Sequence, residues 1–175
     1  MRPCAADERS GGAGDGQGIR SASGRPGWGP DHRLAPRDEA QDMTDPIFHM
    51  ISGGPRPVAP FSHAVEAGGW VMLTGQMPTD PLAPDAPLPE GIAAQTRRVM
   101  ENLKIVLDGV GLGLEHVMQC RCFLTEFERD YAAFNEVYQG YFPEDRRPAR
   151  TTVGVTALAV GALVEIDCMA RRPDA

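Results

Sequence analysis

Residues 162–170 alternate without a break. Ala162, Val164, Ile166, Cys168 and Ala170 form one apolar series, and Leu163, Glu165, Asp167 and Met169 form the other. Side chains alternate across a strand, so this segment predicts a β-strand with one uniformly apolar face that a second layer must cover. Just before it, Pro148-Ala149-Arg150-Thr151-Thr152-Val153-Gly154-Val155 reads as another strand, rich in β-branched residues and separated from the first by a Gly-containing break at 157–161. Arg150, Thr152 and Gly154 share one of its faces, and Thr151, Val153 and Val155 share the other. A fixed cation and a carboxylate therefore stand on nearby strands within apolar sequence. Burying either charge is costly unless it finds a partner or a ligand. Two readings follow. In one, Arg150 and Glu165 form a structural ion pair, which the two strands by themselves slightly favour. In the other they form a site: the Arg150 fork holds a substrate carboxylate, and Glu165 handles a proton or a water.

The remaining elements predict an α+β domain. Ile92, Thr96, Val99, Leu103, Val106, Leu107 and Val110 recur at helical spacing, and Gly109, Gly111 and Gly113 close that helix. A second helix over 128–142 carries Phe127, Tyr131, Phe134, Tyr138 and Tyr141 or Phe142 on its apolar stripe, with Asn135 among them. A buried amide needs partners, so Asn135 either ties down a loop or stands on a site wall. Strands are predicted at 61–65 and 70–75, turning at Ala67-Gly68-Gly69, and at 117–125, with a short edge strand at 47–52. Gly75 marks either a bulge or a place where a ligand approaches the backbone. The order β-β-α-β-α-β-β, besides that edge strand, places the helices on one face of a mixed sheet.

Composition narrows the function. The 175 residues, 42% hydrophobic, suffice for one core, and the formal net charge of -7 argues against a nucleic-acid or membrane-surface binder. Residues 1–42 are dense in Gly, Pro and charge and poor in aliphatics. That composition predicts a disordered tail, and Met43 is an alternative start for the native product. Residues 43–175 form the expected single domain. Four cysteines in a chain of this size make no disulfide scaffold, so a cytoplasmic setting is expected. Cys120 and Cys122, with Cys168, read as small buried hydrophobes rather than metal ligands, and no metal is expected. Lys104, the only lysine, sits on a solvated helix face rather than in a Schiff-base site. His63 reads as structural unless it borders the site.

Several motifs in order resemble one family. Pro60-Phe61-Ser62-His63-Ala64-Val65, Leu73-Thr74-Gly75-Gln76-Met77-Pro78, Gln95-Thr96-Arg97 with Glu101-Asn102-Leu103, Phe123-Leu124-Thr125, Phe134-Asn135-Glu136-Val137-Tyr138, Pro148-Ala149-Arg150 and Leu163-Val164-Glu165-Ile166 are together similar to the Rid (reactive intermediate deaminase), or YjgF, family. The match runs over about 57–171. The resemblance implies a chorismate-mutase-like fold, a homotrimer with a site in each intersubunit cleft, and no cofactor. It implies hydrolysis of enamine or imine intermediates, such as 2-aminoacrylate-type species, to 2-keto acids and ammonia. The alternative is a regulatory module that binds small carboxylates in the same cleft without turnover. By position, Arg150 matches the carboxylate-binding arginine and Glu165 the carboxylate that positions the attacking water. Asn135, the Gly75 backbone, Phe61 and the Thr152 backbone match other cleft positions. Phe61 stands where the family commonly has tyrosine, and His63 where it commonly has glutamine.

Overall fold

The computed structural model describes residues 45–174. The expectations for residues 1–42 and for Met43 lie outside the described residues. The elements run β1 (Ile47–His49), β2 (Ala64–Ala67), β3 (Trp70–Gln76), α1 (Gly91–Gly109), β4 (Val117–Leu124), α2 (Phe127–Tyr138), β5 (Ala149–Gly154) and β6 (Val164–Arg171). The six strands form one sheet in the order β1-β2-β3-β6-β4-β5. All neighbours pair antiparallel except β4 and β5, which are parallel and joined by α2. The sheet is mixed and its core lies on one side, as expected.

The alternation along β6 orients the whole sheet. Val164, Ile166, Cys168 and Ala170 are buried, while Glu165, Asp167, Met169 and Arg171 are only partly so. The buried series packs with Val71, Leu73, Cys120, Cys122 and Leu124 of the neighbouring strands beneath the helices. All seven residues of the expected α1 stripe are buried, and α1 also packs against α2. Burial of this apolar surface, worth roughly 25 cal/mol per Å², holds the helical layer to the sheet. The opposite face carries no helix. It exposes Phe48, Trp70, Met72 and Val153, each at 40% or more.

Local chemistry sets the element ends. Gly68 and Gly69 both take positive φ, as a two-residue hairpin turn with matching strand twist requires. Past α1, Gly111 lies at φ 71; its N–H reaches the Asp108 carbonyl and that of Leu112 the Leu107 carbonyl, a Schellman closure. Two expectations need correcting. The strand expected at 61–65 begins only at Ala64, because His63 is drawn into a loop by its own hydrogen bonds. The second α-helix ends at Tyr138 and continues as a 3-10 turn over Gln139–Tyr141. Pro143 forces Phe142 into extended backbone, so the helix cannot run to that residue. At its start, Tyr131 is exposed and stacks on Phe127 rather than entering the core.

Candidate functional site

Arg150 lies on the helix-side face of β5. It is opposite Cys120 on β4, which in turn is opposite Cys168 on β6. Its guanidinium sits 4.8 Å from the Tyr138 ring centroid and 5.6 Å from that of Phe134. Aromatic faces attract a guanidinium through their quadrupoles and keep its edge free for hydrogen bonds. None of the ion pairs among the described residues involves Arg150. A cleft of about 290 Å³ opens beside it, lined by Asn135, Tyr138, Gln139, Arg147, Pro148 and Arg150. Asn135, Tyr138 and Gln139 reach it together because positions i, i+3 and i+4 share a helix face. Thr152, two residues along β5, has a buried hydroxyl without a hydrogen-bond partner. The Val155 N–H bonds to the Leu124 carbonyl. Backbone alternation therefore turns the Thr152 N–H to the outer edge of this edge strand, where no strand pairs with it.

Glu165 lies on the open face of β6, opposite Phe123 of β4. Burial raises its pKa above the ordinary carboxylate range, and the charge of Asp167 two residues on adds to the effect. Asp167 is itself held by two hydrogen bonds from Arg121, at 2.9 and 2.7 Å. A bulge in β3 between Leu73 and Gln76 brings Gly75 against Glu165. A Cβ at Gly75 would land on the Glu165 carboxylate. The bulge reading of Gly75 therefore holds, and the missing side chain leaves room for the Glu165 carboxylate. The His63 carbonyl accepts from the Thr74 N–H, which sets the segment carrying Phe61 alongside this end of β3.

The expected site residues thus fall into two groups. Arg150, Thr152 and Asn135 belong to the β5–α2 edge; Glu165 and Gly75, with the Phe61 segment, belong to the β3–β6 region. Strand β4 lies between Glu165 and Arg150, a lateral separation of about 10 Å at the usual strand spacing. The two side chains also leave opposite faces of the sheet. A structural Arg150–Glu165 ion pair within one chain, the reading the two strands favoured, is therefore excluded.

Other candidates take structural places. His63 is buried, accepts the Ile51 N–H at Nδ1 and donates from Nε2 to the Pro55 carbonyl, both at 2.8 Å. Cys120, Cys122 and Cys168 are packed in the core, and burial pushes the Cys120 thiol up to about 11 and that of Cys122 up to about 12. They are neutral hydrophobes, not thiolates. Lys104 pairs with Glu101 at 2.9 Å on the exposed side of α1. A larger cavity of about 450 Å³ borders that side, lined among others by Asp108, Leu112 and Glu115, and includes no expected site residue. Sequence reasoning missed Tyr138, Gln139 and Arg147 as cleft residues. The spacing from Asn135 could have flagged the first two.

The edge cleft thus presents an arginine that has no ion pair among the described residues, and the open face of the sheet presents a partly buried glutamate. Residues 52–172 match the family described as Endoribonuclease L-PSP. Protein DfrA of Myxococcus xanthus is 46% identical over 118 residues, covering 66% of this chain and 88% of that protein. A Rid-family protein of unknown function from Yersinia pestis, YyfA, is 31% identical in its crystal structure, with a TM-score of 0.68 over 73% of this chain and all of that one. The crystal structure of E. coli TdcF with bound serine is 28% identical, with a TM-score of 0.64 over 71% and 98%. The chain belongs to the L-PSP family, also called Rid or YjgF, and has its fold. Membership supports a role in processing small molecules. No helix among the described residues is long and apolar enough to cross a membrane.

Proposed function

We propose that the protein hydrolyses reactive imines, and the enamines in equilibrium with them, derived from amino acids, in a cleft assembled between two copies of the chain within a homotrimer. The observation that carries this reading is Arg150, stacked on Tyr138 and open to a cleft without an ion-pair partner among the described residues. A planar guanidinium so held receives a carboxylate through two parallel hydrogen bonds. A relative crystallised with serine, an amino acid bearing such a carboxylate, supports the ligand class. Glu165 supplies the second half. On opposite sheet faces, Arg150 and Glu165 meet around one small molecule only if a neighbour contributes one of them. The uncovered face bearing Phe48, Met72 and Trp70 suits such an assembly.

The chemistry follows from these groups. Arg150 fixes the substrate carboxylate, and the Asn135 amide and Thr152 N–H orient the rest. Glu165 accepts a hydrogen bond from water and takes its proton as the water oxygen bonds to the imine carbon. That proton passes to nitrogen, giving a carbinolamine; Glu165 then takes the remaining hydroxyl proton and delivers it to the amine, the C–N bond breaks, and ammonia leaves as the carbonyl of the 2-keto acid forms. The raised pKa of Glu165 suits it to give the proton back as well as take it. No cofactor is called for. The reading is tested by ammonia release from an imine made in situ by an amino-acid oxidase. The protein should accelerate release, and Arg150→Ala should abolish the acceleration. Saturable 2-keto acid binding without acceleration would instead identify a non-catalytic carboxylate sensor.

A further inference from the structure

We propose that Arg147 is a specificity residue and that the cleft is built for imines of dicarboxylic amino acids, which carry a second carboxylate at the end of the side chain. This rests on the hydrolase reading above and names its substrate class. A second arginine, Arg147, also lines the cleft beside Arg150. Arg147 is exposed and forms no ion pair among the described residues. Within one chain no acidic side chain lines this cleft, although the chain as a whole carries a net charge of -7. With Glu165 contributed by a neighbouring copy, two arginines against one carboxylate still leave a positive excess that focuses anions into the cleft.

The two cations are not equivalent. Arg150 is partly buried against aromatic rings and emerges from a strand, which fixes its position. Arg147 precedes Pro148 in extended backbone at the cleft mouth. The inner guanidinium suits the carboxylate next to the reacting carbon, and the outer one suits a carboxylate two or three bonds further out. Asn135 in the last turn of α2 and Gln139 just past its end offer amide donors to the same ligand. The volume of about 290 Å³ lies at the lower end of the ~300–1,000 Å³ typical of small-molecule sites and admits a short dicarboxylate.

The test compares 2-oxoglutarate with pyruvate as product probes by calorimetry on the full chain, and the corresponding imines, made by amino-acid oxidases, by ammonia release. The wild type should bind 2-oxoglutarate at least about tenfold tighter than pyruvate, in line with one additional charge-assisted contact. Arg147→Gln should erase that ratio, and Arg147→Lys should keep part of it. The ratio of kcat/KM for the two imines should shift in the same direction. Equal binding of the two acids by the wild type, a preference that survives Arg147→Gln, or binding of neither acid overturns the proposal. A dicarboxylate preference in binding without ammonia release would support this site and refute the hydrolase. Turnover of both imines with no preference would do the reverse.

Discussion

The two faces of the sheet use the same strands for different ends. On the covered face, Val71, Val164, Ile166 and Leu124 are fully buried under α1 and α2, and the thiols of Cys120 and Cys122 serve as small apolar fillers. On the open face, one residue along in each strand, stand Glu165, Asp167, Arg121, Met72 and Trp70, several of them well exposed. Arg150 belongs to the covered side but lies at its margin, where β5 ends the sheet and α2 leaves a cleft. The contrast teaches that stability and chemistry are divided by face. The charge that must stay available sits where packing stops.

The largest effect should come from Arg150. Arg150→Ala should lower turnover of carboxylate-bearing imines by roughly 10³-fold, the cost of a lost charge-assisted bidentate anchor, while thermal melting shows a folded protein. Subunit mixing then addresses the two-faced geometry directly. Arg150→Ala and Glu165→Gln chains, each inactive alone, should regain about a quarter of wild-type activity when unfolded and refolded together at equal ratio, because each mixed cyclic trimer restores one site. Absence of any recovery, with mixed trimers shown by native mass spectrometry, would place both residues in one chain's site and break the comparison.

Glu165→Gln should follow, with a loss of about 10²–10⁴-fold in kcat and nearly unchanged affinity for a 2-keto acid. The same variant has a pH signature. Because the folded pKa is raised, the unfolded chain ionises first as pH climbs. The wild type therefore loses stability from the unfolded carboxylate pKa up through the folded value. Glu165→Gln should flatten that decline in melting curves recorded from the unfolded carboxylate pKa of about 4.3 upward; an unaltered slope would show that Glu165 is not held in a desolvated place.

Gly75→Ala should cost about 10–100-fold in turnover, since a shift of the carboxylate by an ångström suffices for such a loss. Its added methyl meets the mobile end of Glu165 rather than backbone, so stability should change little. A variant as active as wild type would mean the carboxylate need not stay where Gly75 leaves it. The smallest effect lies outside both faces. Val160, exposed at φ 53 and ψ 19, is a β-branched residue in the left-handed region. Val160→Gly should stabilise the protein by about 1 kcal/mol in chemical denaturation, leaving activity unchanged.

The sequence by itself determined much of this. The alternation of residues 162–170 and the seven-residue α1 stripe fixed which side chains are buried. Gly68-Gly69 and Gly111 fixed where the chain turns, because only their backbone freedom suits those positions. The resemblance marked Arg150, Glu165, Gly75 and Asn135. Within each strand, the face-mates of Arg150 and of Glu165 were legible as well. The relation between the two strands was not. Whether position 150 of β5 shares a face with position 165 of β6 depends on the register of both against β4, which lies between them, and a one-residue slip in either pairing reverses the answer. The Arg121–Asp167 pair, 46 residues apart, and the meeting of Gly75 with Glu165 across a bulge likewise arise only when the strands are paired. Tertiary structure alone decided that the cation and the carboxylate point apart, because pairing between distant strands, not local sequence, sets the parity of a sheet.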